Sequence, residues 1–213
     1  MRVFIKFRSV LKTDGAIYII NLLMNRIFSG FVQQRFKFGP GLLIYRDADL
    51  KGLQCAKVGR NFSLGRRSRV EIIRLHNKIT FSPRLIIGND VSMQDDIHIG
   101  CVEKITIDDG VLIASKVYIS DHNHGNYNGA SQDEPSTPPR LRRVVSNPVY
   151  IGRNVWVGES VTILPGVSIG EGSIIGANSV VSSNIPANSI AVGSPARIIK
   201  KYDVDDKCWF RNG

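Results

Sequence analysis

The sequence predicts an all-β protein, a parallel β-helix of hexapeptide repeats with an N-terminal α-helical segment and one inserted loop. Three observations carry this. An aliphatic residue recurs every six positions across most of the 213 residues, a Gly, Asn or Asp recurs at a fixed place behind it, and the longest apolar run lies near the N-terminus with helical spacing. A period of six fits neither an α-helix nor a two-sided strand. Each hexad is therefore a short extended run followed by a corner, and three hexads close one coil.

Residues 1–41 form the helical segment. Ile17, Ile20, Leu23, Met24, Ile27, Phe28 and Phe31 recur at helical spacing, giving an amphipathic helix. Asn21, Asn25 and Arg26 interrupt the run before it reaches the roughly 18–20 clean apolar residues of a spanning helix, and no small-residue cleavage site follows it. Neither a transmembrane span nor a secretory signal is expected. The segment is expected either to cap the first coil with Ile17, Ile20, Leu23, Ile27 and Phe31, or to lie on a membrane surface aided by Arg2, Lys6, Arg8 and Lys12.

Residues 42–200 form the coil. Its aliphatic positions are Val58 and Leu64, then Ile87, Met93 and Ile99, then Ile107, Ile113 and Ile119, and finally the unbroken run Ile151, Val157, Ile163, Ile169, Ile175 and Val181. Each is expected to point inward and to stack on its equivalent one coil away. Three places on stand Asn61, Asp90, Asp96, Gly110, Asn154, Gly166, Gly172, Asn178 and Asn184, residue types that tolerate φ > 0 and are expected at corners. The period fails from Gly125 to Tyr150, a stretch of turn formers. A long excursion from a compact repeat is uncommon unless functional. Residues 201–213 are read as a C-terminal tail.

Composition narrows the function classes. With 43% hydrophobic and 22% charged residues the chain is neither disordered nor a polytopic membrane protein. Cys55, Cys101 and Cys208 show no CxxC spacing, so no disulfide framework or zinc knuckle is legible and a reducing compartment is expected. The net charge of +10 is concentrated: residues 1–75 hold 15 Lys and Arg against 4 Asp and Glu, the remainder 13 against 14. Such a field suits an anionic membrane surface or an acidic saccharide. No nucleic-acid partner is expected, because no helix-turn-helix, zinc-finger or RNP-like pattern accompanies the charge.

Three segments carry a resemblance: ITIDDGVLIASKVYISDHNHG at 105–125, NPVYIGRNVWVGESVTILPGVSIGEGSIIGANSVV at 147–181 and IPANSIAVGSPARIIKK at 185–201. They resemble the hexapeptide-repeat acyltransferases, and among these the bacterial sugar and polysaccharide O-acetyltransferases. The resemblance implies a left-handed β-helix of triangular section and a homotrimer, with acetyl-CoA lying between the coils of adjacent subunits. It also implies O-acetyl transfer to a sugar of cell-surface polysaccharide (O-antigen, capsule or exopolysaccharide) in the cytoplasm, on an acceptor that is free, nucleotide-linked or lipid-linked. No metal is expected.

Acetyl transfer to a hydroxyl needs a base that takes the proton as oxygen attacks the thioester, and imidazole, with an ordinary pKa near ~6.5, suits neutral pH. The resemblance assigns that base to His124, with His122 as the second candidate. Spacing leaves open whether Asp121 or Glu159 holds the histidine's other nitrogen. For the donor, Gly158, Gly176, Ala177, Ser182 and Ser183 match the places along which relatives lay the pantetheine arm, and Arg197, Lys200 and Lys201 offer cations to the CoA phosphates. Ser183 and Glu159 depart from the family pattern, where Lys and Ser are common. For the acceptor the candidates are Gln94 beside Asp95 and Asp96, then Asn126, Tyr127 and Arg140 of the loop, Trp156 and Glu159. His76 and His98 are expected to be outward-facing polar residues.

Rival readings remain at this stage. An amino-sugar or xenobiotic N- or O-acetyltransferase has the same fold. A zinc enzyme resembling γ-type carbonic anhydrases would use His98, His122 and His124, and an inert scaffold would use none. No cysteine lies within 105–125 or 147–181, which argues against a cysteine nucleophile.

Overall fold

The structure, a computed structural model, describes residues 2–211, with side chains described from Gly15 onward. Its core is three ladders in register. One stacks Ile44, Leu64, Met93, Ile113, Val157, Ile175 and Ala191. A second stacks Leu50, Val70, Ile99, Ile119, Ile163 and Val181. The third stacks Val58, Ile87, Ile107, Ile151 and Ile169. Every rung of the coil is parallel to the next. All of these side chains are buried except Leu50 and Val58, which are half-buried near the first coil. The parallel β-helix and the inward stacking are thus as the period required.

Corners fall where the αL-tolerant types stand. Asn61, Asp90, Asp96, Gly110, Asn154, Gly166, Gly172 and Asn178 have φ between 55° and 81°. Asn184 is the exception, and its side chain instead accepts the Ser168 N–H at 2.8 Å. Arg67, Lys116 and Ser160 occupy the same place in their hexads and also take positive φ. The coil-to-coil bonds Lys116 N–H to Asp95 C=O (3.0 Å) and Ser160 N–H to Ser115 C=O (3.0 Å) offset that strain.

Helix α1 spans Arg2–Phe36 and breaks at Gly15, whose φ of 77° and ψ of 168° are not helical. It packs on the first coil in the opposite sense to the expected cap. Ile17, Ile20, Leu23, Met24, Ile27 and Phe31 are exposed, whereas Ile19, Asn25, Ser29 and Val32 are buried. The reason lies in the first strand, Leu43–Ile44, whose outer edge has no coil beneath it. Ser29 Oγ accepts the Ile44 N–H at 2.8 Å and Asn25 Oδ1 accepts the Arg46 N–H at 3.2 Å, so polar side chains face inward to satisfy the edge. By length and composition the stretch Gly15–Phe36, whose most apolar 18 residues have a mean hydropathy of 1.4, is long and apolar enough to cross a membrane. The side chains of Arg2, Lys6, Arg8 and Lys12 lie outside the described ones.

Two excursions leave the coil from one column of corners, after Arg69–Ile72 and, two coils on, after Tyr118–Ser120. Residues Leu75–His76 and Ile79–Thr80 form a small antiparallel hairpin that the sequence did not announce. The expected loop begins as structure: His122–His124 pairs antiparallel with Val144–Ser146, and a 3-10 turn covers Pro139–Leu141. The expected tail is corrected. Strand Arg197–Asp203 folds back antiparallel on Ser189–Val192, and Cys208–Arg211 pairs with it in turn. Unpaired N–H and C=O groups on the last rung favour such a closure.

Candidate active site

The site begins with Asp121, at the corner that ends the rung Tyr118–Ser120. Its carboxylate is wholly buried and accepts three backbone N–H groups, from Val102 (2.9 Å), Glu103 (2.8 Å) and Lys104 (2.8 Å), in the extended corner one coil earlier. Burial alone raises a carboxyl pKa. Here the His122 side chain and the backbone N–H groups of Val102 and Glu103 outweigh it and hold Asp121 below its ordinary value, so the group is a fixed anion.

His122 Nδ1 lies 3.0 Å from Asp121 Oδ1. Because an ionised carboxylate only accepts, Nδ1 is the donor, and in the neutral ring this tautomer leaves Nε2 with a free lone pair. Ser120 fixes the same residue's backbone, donating to His122 C=O at 2.9 Å and accepting its N–H at 3.2 Å. Gly100 makes room for the ring. A Cβ built there would stand 3.1 Å from His122 Cε1. Only 12% of the His122 side chain is exposed.

His124, the other end of the same short strand, is exposed and has no carboxylate partner among the described residues. Its ring packs 5.3 Å from His76 and 6.4 Å from His122, centroid to centroid. Partial burial, with the His76 and His122 rings next to it, pulls its pKa below the ordinary imidazole value. His76 therefore faces the site rather than solvent, and its Nε2 is buried with no hydrogen-bond partner among the described residues.

A cavity of about 290 Å³ opens beside these rings, with Arg69, Glu71, His98, Gly100 and Tyr118 on its far walls. In the sheet, Arg69, His98 and Tyr118 occupy one column across three coils. Arg69 donates to His98 Nε2 at 2.9 Å and to Glu71 at 3.0 Å. Desolvation, then Arg69, lowers the His98 pKa and keeps the ring neutral. Sequence reasoning missed Arg69, Glu71 and Tyr118, and it took His98 as an outward-facing polar residue or a zinc ligand. The signal available was the column itself, since residues one coil apart share a face.

The other candidates are distributed elsewhere. Glu159 is exposed and pairs with Lys116 at 3.6 Å, so of the two carboxylates considered it is Asp121 that meets a histidine. Asp95 and Asp96 hold a corner: Asp95 accepts the Arg66 N–H at 2.8 Å and Asp96 pairs with Arg67 at 2.7 Å. Gln94 is exposed on a different side and contacts Ser92. Trp156 is half exposed in a column with Leu112 and Ile174. Tyr127 donates to His124 C=O and accepts from Arg142, while Asn126 and Arg140 tie the loop to itself and to Asn77 of the hairpin. Gly158 and Gly176 lie against the next coil, where a Cβ would meet Ala177 N at 2.7 Å and Val192 Cγ1 at 2.6 Å. Ala177, Ser182 and Ser183 are exposed at corners, and Arg197, Lys200 and Lys201 belong to the terminal hairpin.

His98 sits with Arg69 and Glu71 rather than with His122 and His124, and among the described residues no three His, Cys, Asp or Glu side chains gather as a metal-holding group. Cys101 is buried beside Asp121, and burial and that anion push its thiol pKa far up, against nucleophilic use.

Residues 148–183 match the family model described as bacterial transferase hexapeptide (six repeats). Over 126 residues the chain is 43% identical to a protein of Escherichia coli, WbbJ, named as a lipopolysaccharide biosynthesis O-acetyl transferase; the match covers 59% of this chain and 64% of that one. Over 165 residues it is 32% identical to a protein of Mycobacterium tuberculosis named as an acetyltransferase, covering 76% of this chain and 48% of the relative. The chain thus spans less than two thirds of the length of either. Among solved structures, AntD, an N-acyltransferase from Bacillus cereus in complex with a dTDP-amino sugar and coenzyme A, superposes with a TM-score of 0.65 at 22% identity over 83% of this chain and 90% of that one, a likeness of fold. Galactoside acetyltransferase in complex with coenzyme A superposes with a TM-score of 0.50 at 31% identity, over 71% of each chain. With the repeat, the three ladders and these relatives in agreement, the chain belongs to the hexapeptide-repeat acyltransferase family.

Proposed function

We propose that the protein is an acetyl-CoA-dependent O-acetyltransferase acting on a sugar hydroxyl in cell-surface polysaccharide assembly. The observation that carries this reading is the buried Asp121 on His122 Nδ1 beside a polar cavity, in a chain 43% identical to a protein named for lipopolysaccharide O-acetyl transfer. His122 Nε2 takes the proton of the acceptor hydroxyl while its oxygen attacks the thioester carbonyl. Asp121 steadies the imidazolium that forms, and the same proton then passes to the departing CoA sulfur. No covalent enzyme intermediate is required. His124, held neutral by its surroundings, stands next to His122 as the second base.

The cavity suits the acceptor, since a carboxylate, a guanidinium, an imidazole and a phenol on its walls present the planar and hydroxyl groups that hydrogen-bond sugar hydroxyls. Acetyl-CoA is read as bound against the later coils, with Ala177, Ser182 and Ser183 along the pantetheine arm and Arg197 and Lys201 near its phosphates. In this reading the molecule is a left-handed β-helix that assembles as a homotrimer, so that a neighbouring subunit supplies the second wall of the cleft. It works in the cytoplasm at the inner face of the membrane, on an acceptor carried by a lipid.

Transfer of labelled acetyl from acetyl-CoA to a panel of hexosides and nucleotide sugars, scored as alkali-labile ester, tests the activity. Loss of the base costs about 10²–10⁴-fold, so His122→Ala is expected to lower kcat by that order with acetyl-CoA affinity retained, and His124→Ala to have a smaller effect. The reverse order makes His124 the base; an alkali-stable product makes the enzyme an N-acetyltransferase.

A further inference from the structure

We propose that α1 is an interfacial membrane anchor that lies flat on an anionic bilayer with Ile17, Ile20, Leu23, Met24, Ile27 and Phe31 in the lipid. At 3.6 residues per turn these six fall on one face, with Arg26 and Arg35 at its margins. Ile17 is 77% exposed and Phe31 70%, while on the opposite face Asn25 is 3% exposed and Ser29 1%. A helix that merely capped the coil would turn its apolar side inward. This one sets Asn25 and Ser29, together with Ile19 and Val32, against the protein and still leaves a continuous apolar strip outside, larger than scattered surface residues explain.

Charge selects the occupant. Residues 1–37 hold seven Lys and Arg against one Asp, and the first third of the chain is strongly basic. Helices this basic repel one another when several copies pack together, whereas an anionic leaflet attracts each of them. Arg26 and Arg35 extend from the margins of the strip, where long aliphatic stems reach a headgroup layer while the apolar face stays in the acyl boundary. The bonds from Ser29 to Ile44 and from Asn25 to Arg46 keep the helix against the coil, which fits a helix lying in the surface plane rather than one crossing it.

The inference uses the membrane location proposed above, but its test reads binding and not acetylation, so the two fail separately. The full chain is floated with vesicles of phosphatidylcholine alone and of phosphatidylcholine with about 30% phosphatidylglycerol, the anionic lipid supplying the surface charge. Binding is expected only to the anionic vesicles, and is expected to weaken as salt rises toward about 1 M, where the screening length shortens to about 3 Å. Ile20→Glu with Phe31→Glu is expected to lower the vesicle partition more than about tenfold, with the melting temperature and solution mass unchanged. Arg26→Glu with Arg35→Glu is expected to reduce the preference for anionic vesicles. No binding to the anionic vesicles overturns the proposal. So does a fall in solution mass in the Ile20 and Phe31 double variant, which assigns the strip to a second copy of the chain.

Discussion

At the scale of single residues the site is a matter of which side chain owns the buried carboxylate. Gapless counting favours His124, because family position is all that a sequence offers. The structure adds that Asp121 is locked by three backbone N–H groups and that the histidine it holds is the adjacent His122. That bond depends on a chain reversal at the corner and on the extended turn at 102–104, neither of which shows in residue spacing. Gly100 offers a direct check. Gly100→Ala puts a methyl about 3 Å from His122 Cε1, and displacement of a catalytic group by about 1 Å costs on the order of 10²-fold. The variant is expected to keep its fold, as judged by circular dichroism, while kcat falls by roughly that factor.

Among elements, the rungs were legible and the decorations were not. Hexads such as Ile151 to Val181 announce themselves because each inward residue repeats one environment. The hairpin at 75–80 has two-residue strands, too short for any period, and so His76 gave no sign that it meets His124. Helix α1 shows a different limit: its apolar spacing was evident, yet periodicity cannot say which face meets the protein. The missing information was the first strand's unpaired edge. Ser29 satisfies it, donating to Asn25 C=O at 2.6 Å while accepting from Ile44 N–H. Ser29→Ala leaves a buried N–H without a partner, a loss of about 1–3 kcal/mol. Urea unfolding is expected to show a midpoint lowered accordingly with an unchanged slope, and an unaltered midpoint means that water reaches the edge.

For the whole molecule, the neutral histidines set the response to acid. His98 and His124 both have pKa values below the ordinary ~6.5. As pH falls through ~6.5 the unfolded chain takes up protons that the folded chain refuses until its lower pKa values are reached, so stability declines over that interval. Asp121, held below its ordinary value, adds a further loss at lower pH as it protonates. Calorimetry from about pH 7.5 to 5 is expected to show a falling melting temperature that flattens in a His98→Gln, His124→Gln variant; a level profile in the parent contradicts the assignment.

The terminal hairpin has one more effect. A stack of parallel rungs is by nature an open polymer, since its last rung offers the next chain the same bonds that it offers its own. Folding Arg197–Asp203 back antiparallel, with Cys208–Arg211 outside it, gives the last rung a partner of the wrong direction for continuing the stack. At the other end Ser29 and Asn25 occupy backbone donors that an incoming strand would need. The ladder that runs from Ile44 to Ala191 is therefore closed at both of its ends, and no rung of another molecule can add to Ser189–Val192 in the parallel sense that would lengthen the coil.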